Sequence, residues 1–400
     1  MAGLATSQSA FAQEVIQNTQ DQNAAISATQ TLNVIENDGL TQATGQARGN
    51  ELNGGNADVD ATLTSVQNLR GTVRGMATIN GINTGAENLS LGTPLSATTE
   101  AIGNYSGMVT TNGHMTSTIH QDSTAADVST VTDVNAPNNA IYISGEGTAT
   151  TEVNHAAFEV TNGRLDSQAW QSSTSDAKSN VSATVHYSPS PNQYSASSTQ
   201  NYYGSLSDSQ GSQEHEVHQT QSGVTQARAE VFAGNVWDTA AVSTAVANNN
   251  DTQNTGGSLV VTNDQHQTGN VQSQAYMSAD EYGTAGATAT GIGNKLAAGE
   301  NDVYLRLDNT QISDGGVDVT SVFEGNNGFD SFISAEAYGN QALAYACAAC
   351  QADIGVNSTQ TNNGDVTATS IVNQTGQSRS FVSSAKAVGN SATYFVSGGQ

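Results

Sequence analysis

Ser334-Ala335-Glu336-Ala337-Tyr338-Gly339-Asn340 returns fifty residues later as Ser384-Ala385-Lys386-Ala387-Val388-Gly389-Asn390. The shared frame is a run of small side chains ending on Gly-Asn. The same ending closes Ala47-Arg48-Gly49-Asn50, Ala101-Ile102-Gly103-Asn104, Phe232-Ala233-Gly234-Asn235 and Gly291-Ile292-Gly293-Asn294. Successive marks lie 54, 131, 59, 46 and 50 residues apart. A degenerate copy falls inside the long gap, where Thr150-Thr151-Glu152-Val153-Asn154 echoes Thr98-Thr99-Glu100-Ala101. A self-similar unit of this length is the signature of a solenoid, a propeller or an array. Gly followed by Asn suits a corner, because both tolerate positive φ and Asn can hydrogen-bond the backbone across a turn. The repeat-marking turns are therefore set at Asn50, Asn104, Asn235, Asn294, Asn340 and Asn390.

Between the marks the residues alternate as half-buried strands do. Val303, Leu305 and Leu307 point one way while Tyr304 and Arg306 point the other, and Val366, Ala368, Ser370 and Val372 repeat the pattern after Asn362-Asn363-Gly364-Asp365. The inward set mixes Val and Ile with Ala, Thr and Ser, too thin for a sandwich interior of about 10 Å. These features predict an all-β fold, a β-solenoid or β-helix-like stack of roughly fifty-residue units, each read as two coils of about twenty-five residues. Gln and Asn recur beside the turns, as in Gln219-Thr220-Gln221-Ser222-Gly223, Gln267-Thr268-Gly269-Asn270, Gln360-Thr361-Asn362-Asn363-Gly364 and Gln374-Thr375-Gly376-Gln377. Stacked in register, such amides bond to copies of themselves along the axis, which gives cohesion without a large apolar core. Residues 13–186 and 227–400 read as repeat regions. Residues 187–226, opening on Ser188-Pro189-Ser190-Pro191, read as an irregular Ser/Gln-rich segment.

Charge narrows the function classes. The 400 residues hold 10 Lys+Arg against 36 Asp+Glu, a net −26, yet only 12% are charged, about half the usual share. Such a chain is acidic because bases are missing, and its three Lys and seven Arg are scattered. Neutralising a run of phosphates takes several bases on one face, so nucleic acid and anionic membranes are poor partners. The most apolar stretch, Ala342 to Cys350, falls well short of the ~20 residues that span a bilayer, and no transmembrane span is expected. Ala10-Phe11-Ala12 before Gln13 has the small-x-small form of a signal-peptidase site, so residues 1–12 read as the remnant of an export signal.

Catalytic and metal constellations do not assemble. Cys347 and Cys350 form a C-x-x-C without a nearby base or a second ligand pair, which points to a local structural disulfide or two small buried side chains. In Glu214-His215-Glu216-Val217-His218 the histidines are three apart, and on a strand they face opposite sides. There is no G-x-x-x-x-G-K-[ST] and no G-x-S-x-G. Asp58 with Asp60, or Asp314 with Asp318, could serve as a glycosidase pair only if a fold set two carboxyls across a cleft. The reading is non-enzymatic and without cofactor. A β-helical polysaccharide-active enzyme and a phage or autotransporter stalk are the alternatives.

The Ala-Phe-Ala-Gln end, the Gly-Asn-marked Ala/Thr/Asn/Gln-rich repeat and the near-absence of Lys together resemble the holdfast anchor protein D family of surface-attaching bacteria. More loosely they resemble curli-type fibre subunits, although a fifty-residue unit is longer than the curli repeat. The resemblance implies export to the outer surface through a curli-type secretion lipoprotein, with association to the outer membrane. It also implies a small fibre-like partner subunit and an adhesive polysaccharide as ligand, and it leaves self-assembly open.

Overall fold

A computed structural model describes residues 14–85, 89–124, 127–347 and 353–397. Residues 1–12, read as an export remnant, lie outside the described residues. The described chain is a right-through stack of parallel strands, one sheet of eight and one of thirteen. The eight-stranded sheet runs Glu14–Gln22, Ala61–Leu69, His114–Ser123, Arg164–Ser173, Ser212–Gln221, Ser258–Gln267, Tyr304–Ser313 and Asp353–Asn362.

Register gives the length of the coil. Glu14 pairs with Ala61, Ala61 with Met115, His114 with Arg164 and Arg164 with Ser212, steps of 47, 54, 50 and 48 residues. Ser258 pairs with Tyr304 and Tyr304 with Asp353, steps of 46 and 49. The fifty-residue unit is therefore one coil. The division into two coils of about twenty-five is corrected, since each strand stacks on the strand a whole unit away. Eight coils result, and seven spacings of about 4.8 Å separate first from last by about 34 Å.

The second coil shows the path. Ala61–Leu69 turns a corner at Gly71 into Val73–Gly81, which reverses and returns as Leu95–Thr111. That returning strand bends midway: its buried positions are 95, 97, 99 and 101 before the bend, and 104, 106, 108 and 110 after it. The first half covers Val73–Gly81, placing Ala77 and Ile79 with Leu95 and Ala97 in one apolar cluster. The second half covers Ala61–Leu69, placing Leu63 with Met108 and Met115 in another. Leu69, Val73 and Ala101 fill the elbow between them. Each coil is thus a flattened hairpin folded into an elbow, and its core is two thin seams.

Glycine at these bends answers to crowding rather than to positive φ. A Cβ on Gly103 would stand 2.5 Å from the Val153 carbonyl oxygen, and one on Gly269 would stand 2.1 Å from that of Gly223. Neither glycine is among the positive-φ residues.

Residues 187–226 differ from the irregular segment expected of them. Asp176–Ser209 is one continuous bent strand and Ser212–Gln221 the next. Their Ser and Gln side chains point inward, with Ser198, Ser205, Gln213 and Gln219 all buried. A polar composition was consistent with a core here because the core itself is partly amide and hydroxyl.

Candidate binding surface

Eight asparagines stack at the inner side of the elbow, one per coil. Asn50 donates its side-chain N–H to Asn104 Oδ1, Asn104 to Asn154, Asn154 to Asn201, Asn201 to Asn248, Asn248 to Asn294 and Asn294 to Asn340, each at 2.8 Å. Asn340 donates to Asn390 at 2.7 Å. The second N–H crosses to the facing strand of the next coil, as from Asn50 to the Asn68 carbonyl at 2.9 Å and from Asn104 to that of Asp122 at 3.1 Å.

Eight glutamines stand opposite and point the other way. Gln67 donates to Gln20 Oε1 at 2.7 Å, Gln121 to Gln67 at 2.8 Å, Gln171 to Gln121 at 2.8 Å and Gln219 to Gln171 at 2.8 Å. Gln265, Gln311 and Gln360 continue the series at 2.7, 2.8 and 2.7 Å. Each also donates to the carbonyl of the residue just after the ladder asparagine of its own coil, such as Tyr105, His155 and Tyr202. Adjacent coils are thereby stitched together by amides, and at Asn50, Asn104, Asn154, Asn201, Asn294 and Asn340 both side-chain N–H groups are used, the condition under which buried polar groups stabilise. The opposed directions let the dipoles of the two rows oppose each other.

The structure brings five of the six marked asparagines together in this ladder. Asn235 is apart: it sits at the other bend, exposed, donating to Glu281 Oε2 at 2.8 Å. Asn201 and Asn248 are the rungs that reading for Gly-Asn missed, because Gln200 and Ala247 precede them. Cys347 ends a strand and is buried, while Cys350 lies outside the described residues.

Outside the elbow the residue after the ladder asparagine is a ring in three consecutive coils, Tyr105, His155 and Tyr202, and these form a column. Arg48 lies 4.9 Å over Tyr105, Tyr105 stacks on His155 at 4.9 Å, and His155 stacks on Tyr202 at 4.7 Å. Beside the column a shallow groove of about 580 Å³ runs along the axis, floored by Gly107, Ala157 and Gly204 and rimmed by Val109 and Leu206. On the flat eight-stranded face a second column stacks His120, Trp170 and His218 at 4.6 and 5.8 Å. These rings expose their edges to solvent along the axis.

Six of the ten bases are engaged by acids. Arg48 meets Glu51 and Glu100, Arg164 meets Asp166, Lys178 meets Asp176, Arg228 meets Glu230, Arg306 meets Asp308 and Arg379 meets Asp330. The surface potential is thus set by the unpaired carboxylates, and it is negative. His215 points into the core, 1% exposed, with Tyr203 Oη 2.7 Å from its Nδ1 and Gln213 Oε1 3.0 Å from its Nε2. Burial holds its pKa down to about 3, so the ring is neutral, and burial pushes the Tyr203 hydroxyl up. His218, three residues on, faces outward beside Glu216.

Among the described residues no group of three or more His, Cys, Asp or Glu side chains is placed to hold a metal ion. Among the described residues no helix is long and apolar enough to cross a membrane. Asp314 is engaged by His266 and Asn363 at 2.7 Å each. What the surface offers is repetition: flat, neutral-to-acidic faces with ring columns a coil apart, an arrangement suited to holding an extended polymer. No curated protein and no solved structure matches the chain. A family model described as holdfast attachment protein D matches residues 35–316. Those residues cover coils that carry both amide ladders and both ring columns, and the chain belongs to the holdfast attachment protein D family.

Proposed function

We propose that the protein is a non-enzymatic anchor that fixes an adhesive polysaccharide to the outer cell envelope. The observation that carries this reading is membership of the attachment family over most of the chain. The physical form supports it, because eight coils locked by two amide ladders make a stiff body whose faces repeat the same chemistry many times. Weak contacts with a polymer sum by multivalency on such a body. Its carboxylates attract a polysaccharide that bears free amino groups, with an ionic-strength dependence. A small fibre-like subunit and a curli-type secretion lipoprotein are the protein partners of this reading, with the outer membrane as the place of attachment.

A deletion strain tests it. Adhesive that is still secreted but shed from the cells, with loss of attached cells, is the expected result. Loss of the adhesive itself would place the protein in synthesis or export instead. Incubation with candidate glycans should yield no new reducing or unsaturated ends; their appearance would make the protein an enzyme.

A further inference from the structure

One edge of the solenoid, where the second strand of each coil reverses, carries an aromatic residue outside the core on four of five consecutive coils. These are Tyr142, Tyr187, Trp237 and Phe329, whereas Tyr282 of the sixth coil turns into the core. Tyr142 meets Tyr187 edge to face at 6.1 Å, and Trp237 meets Phe329 at 6.4 Å and 70°. Trp237 is 61% exposed and Phe329 50%. Large rings held this far out of the core mark an interaction surface when they cluster.

The coil between Trp237 and Phe329 puts Gly283 at the corresponding position, and a Cβ there would stand 3.0 Å from the indole. The glycine lets the indole fold against the next coil and leaves a notch before Phe329. A cleft of about 530 Å³ opens at that notch. Its polar lining comes from the neighbouring column, Asn235, Glu281 and Asn327, with Gln377 at one end. Asn235 and Glu281 hydrogen-bond each other at 2.8 Å, which fixes both side chains. The one base at the edge, Arg379, lies 5.6 Å over the Phe329 ring and is paired with Asp330.

We propose that this edge is a glycan-binding strip that takes a pyranose chain without acidic groups, lying along the solenoid axis. A pyranose ring presents C–H bonds on one face and hydroxyls at its rim. Aromatic rings, with their negative π-faces, suit the first, and short amides and a carboxylate suit the second. The Glu281 carboxylate, with no unpaired cation beside it, disfavours an acidic sugar and favours a neutral or amino-bearing one. The inference rests on the polysaccharide reading above and adds where the polymer sits.

The protein holds two tryptophans, Trp170 and Trp237. Replacing Trp170→Phe in the otherwise intact chain leaves Trp237 as the only indole, a reporter at the strip. Titration with six-sugar fragments of cellulose, chitosan and polygalacturonate should change its fluorescence with the first two and not with the third. In the chain with both tryptophans, calorimetry should show that Trp237→Ala or Phe329→Ala weakens binding of the same fragment by about tenfold or more. Trp237→Phe should keep most of it. Both rings are exposed, so circular dichroism should show the variants folded.

Fragment binding that persists unchanged in Trp237→Ala and Phe329→Ala would overturn the strip and leave the polysaccharide reading standing. Absence of binding to any neutral or amino-bearing glycan, purified adhesive included, would overturn both. A concentration-dependent dimer abolished by Trp237→Ala, seen by sedimentation, would assign the edge to a second copy and overturn the strip as well.

Discussion

Asn201 donates its side-chain amide to Asn248 Oδ1 across 2.8 Å, from one coil to the next. Its other N–H reaches the Thr220 carbonyl at 2.9 Å, and its own oxygen accepts from Asn154 at 2.8 Å. One side chain, 0% exposed, therefore satisfies three buried groups in neighbouring coils. Replacing Asn201→Leu strands all three. Each orphaned group costs about 1–3 kcal/mol, and added apolar burial returns about 1–2 kcal/mol, so a loss of about 3 kcal/mol is expected. Asn235→Ala, a Gly-Asn asparagine outside the ladder, should change stability by less than about 0.5 kcal/mol. Urea midpoints of the two variants check the contrast, and equal losses would mean that the ladder adds nothing beyond any surface amide.

Charge at the same rung gives a prediction with a sign. In Asn201→Asp the ionised side chain can accept from Asn154 but faces the Asn248 oxygen and the Thr220 carbonyl with no proton to donate. Burial and those two acceptors raise the carboxyl's folded pKa above its unfolded value near 3.9. Between the two values the folded state holds a proton that the unfolded state has lost, so stability falls as pH rises through that window. Relative to the parent, the variant should be less stable at pH 7 than at pH 4. A variant whose deficit is the same at both pH values would show that the rung is solvated.

The corner glycines offer a steric test. A methyl group on Gly269 would press into the Gly223 carbonyl of the preceding coil, a backbone atom that cannot swing aside. Gly269→Ala should cost about 1–3 kcal/mol as the ladder opens locally. At Gly355 a Cβ meets nothing within 4 Å, and Gly355→Ala should be neutral or slightly stabilising through the unfolded chain. Thermal midpoints of the pair decide whether close approach, rather than backbone freedom, is what these corners require.

The repeat was legible because one residue per coil, the ladder asparagine, has no substitute that can both donate twice and accept at that place. Its length followed from Asn294, Asn340 and Asn390. The coil path was not legible, since a strand that bends at Gly103 and switches its buried set from odd to even positions reads like two short strands with a turn between. Gly-Asn was the weaker half of the signal: Val153, Gln200 and Ala247 fill the glycine position in three coils, and Asn235 follows a glycine at a different bend. Residues 187–226 looked irregular because inward Ser198 and Gln219 carry none of the apolar periodicity on which strand reading depends. The aromatic edge was invisible for a different reason. Tyr142 and Tyr187 lie one coil apart in sequence and Trp237 and Phe329 two, and each pair meets only through the parallel register.

Acid should loosen the middle of the stack through His215. Its ring is neutral in the folded protein, held to a pKa of about 3 by burial, whereas an unfolded histidine titrates near 6.5. Between those values the unfolded chain binds a proton that the folded chain refuses. Stability is therefore lost as pH falls, by up to about 1.4 kcal/mol per pH unit for this one group. His215→Gln keeps a hydrogen-bonding side chain beside Tyr203 and Gln213 and removes the titration. Carboxylates that titrate below about pH 5 do so in both proteins and cancel in the difference. The variant should be less stable at pH 7, because the Tyr203 contact is remade imperfectly, yet lose less on going from pH 6 to pH 4. Urea midpoints across that range measure the two slopes, and parallel slopes would mean that the ring reaches water and gains its proton without opening the coil.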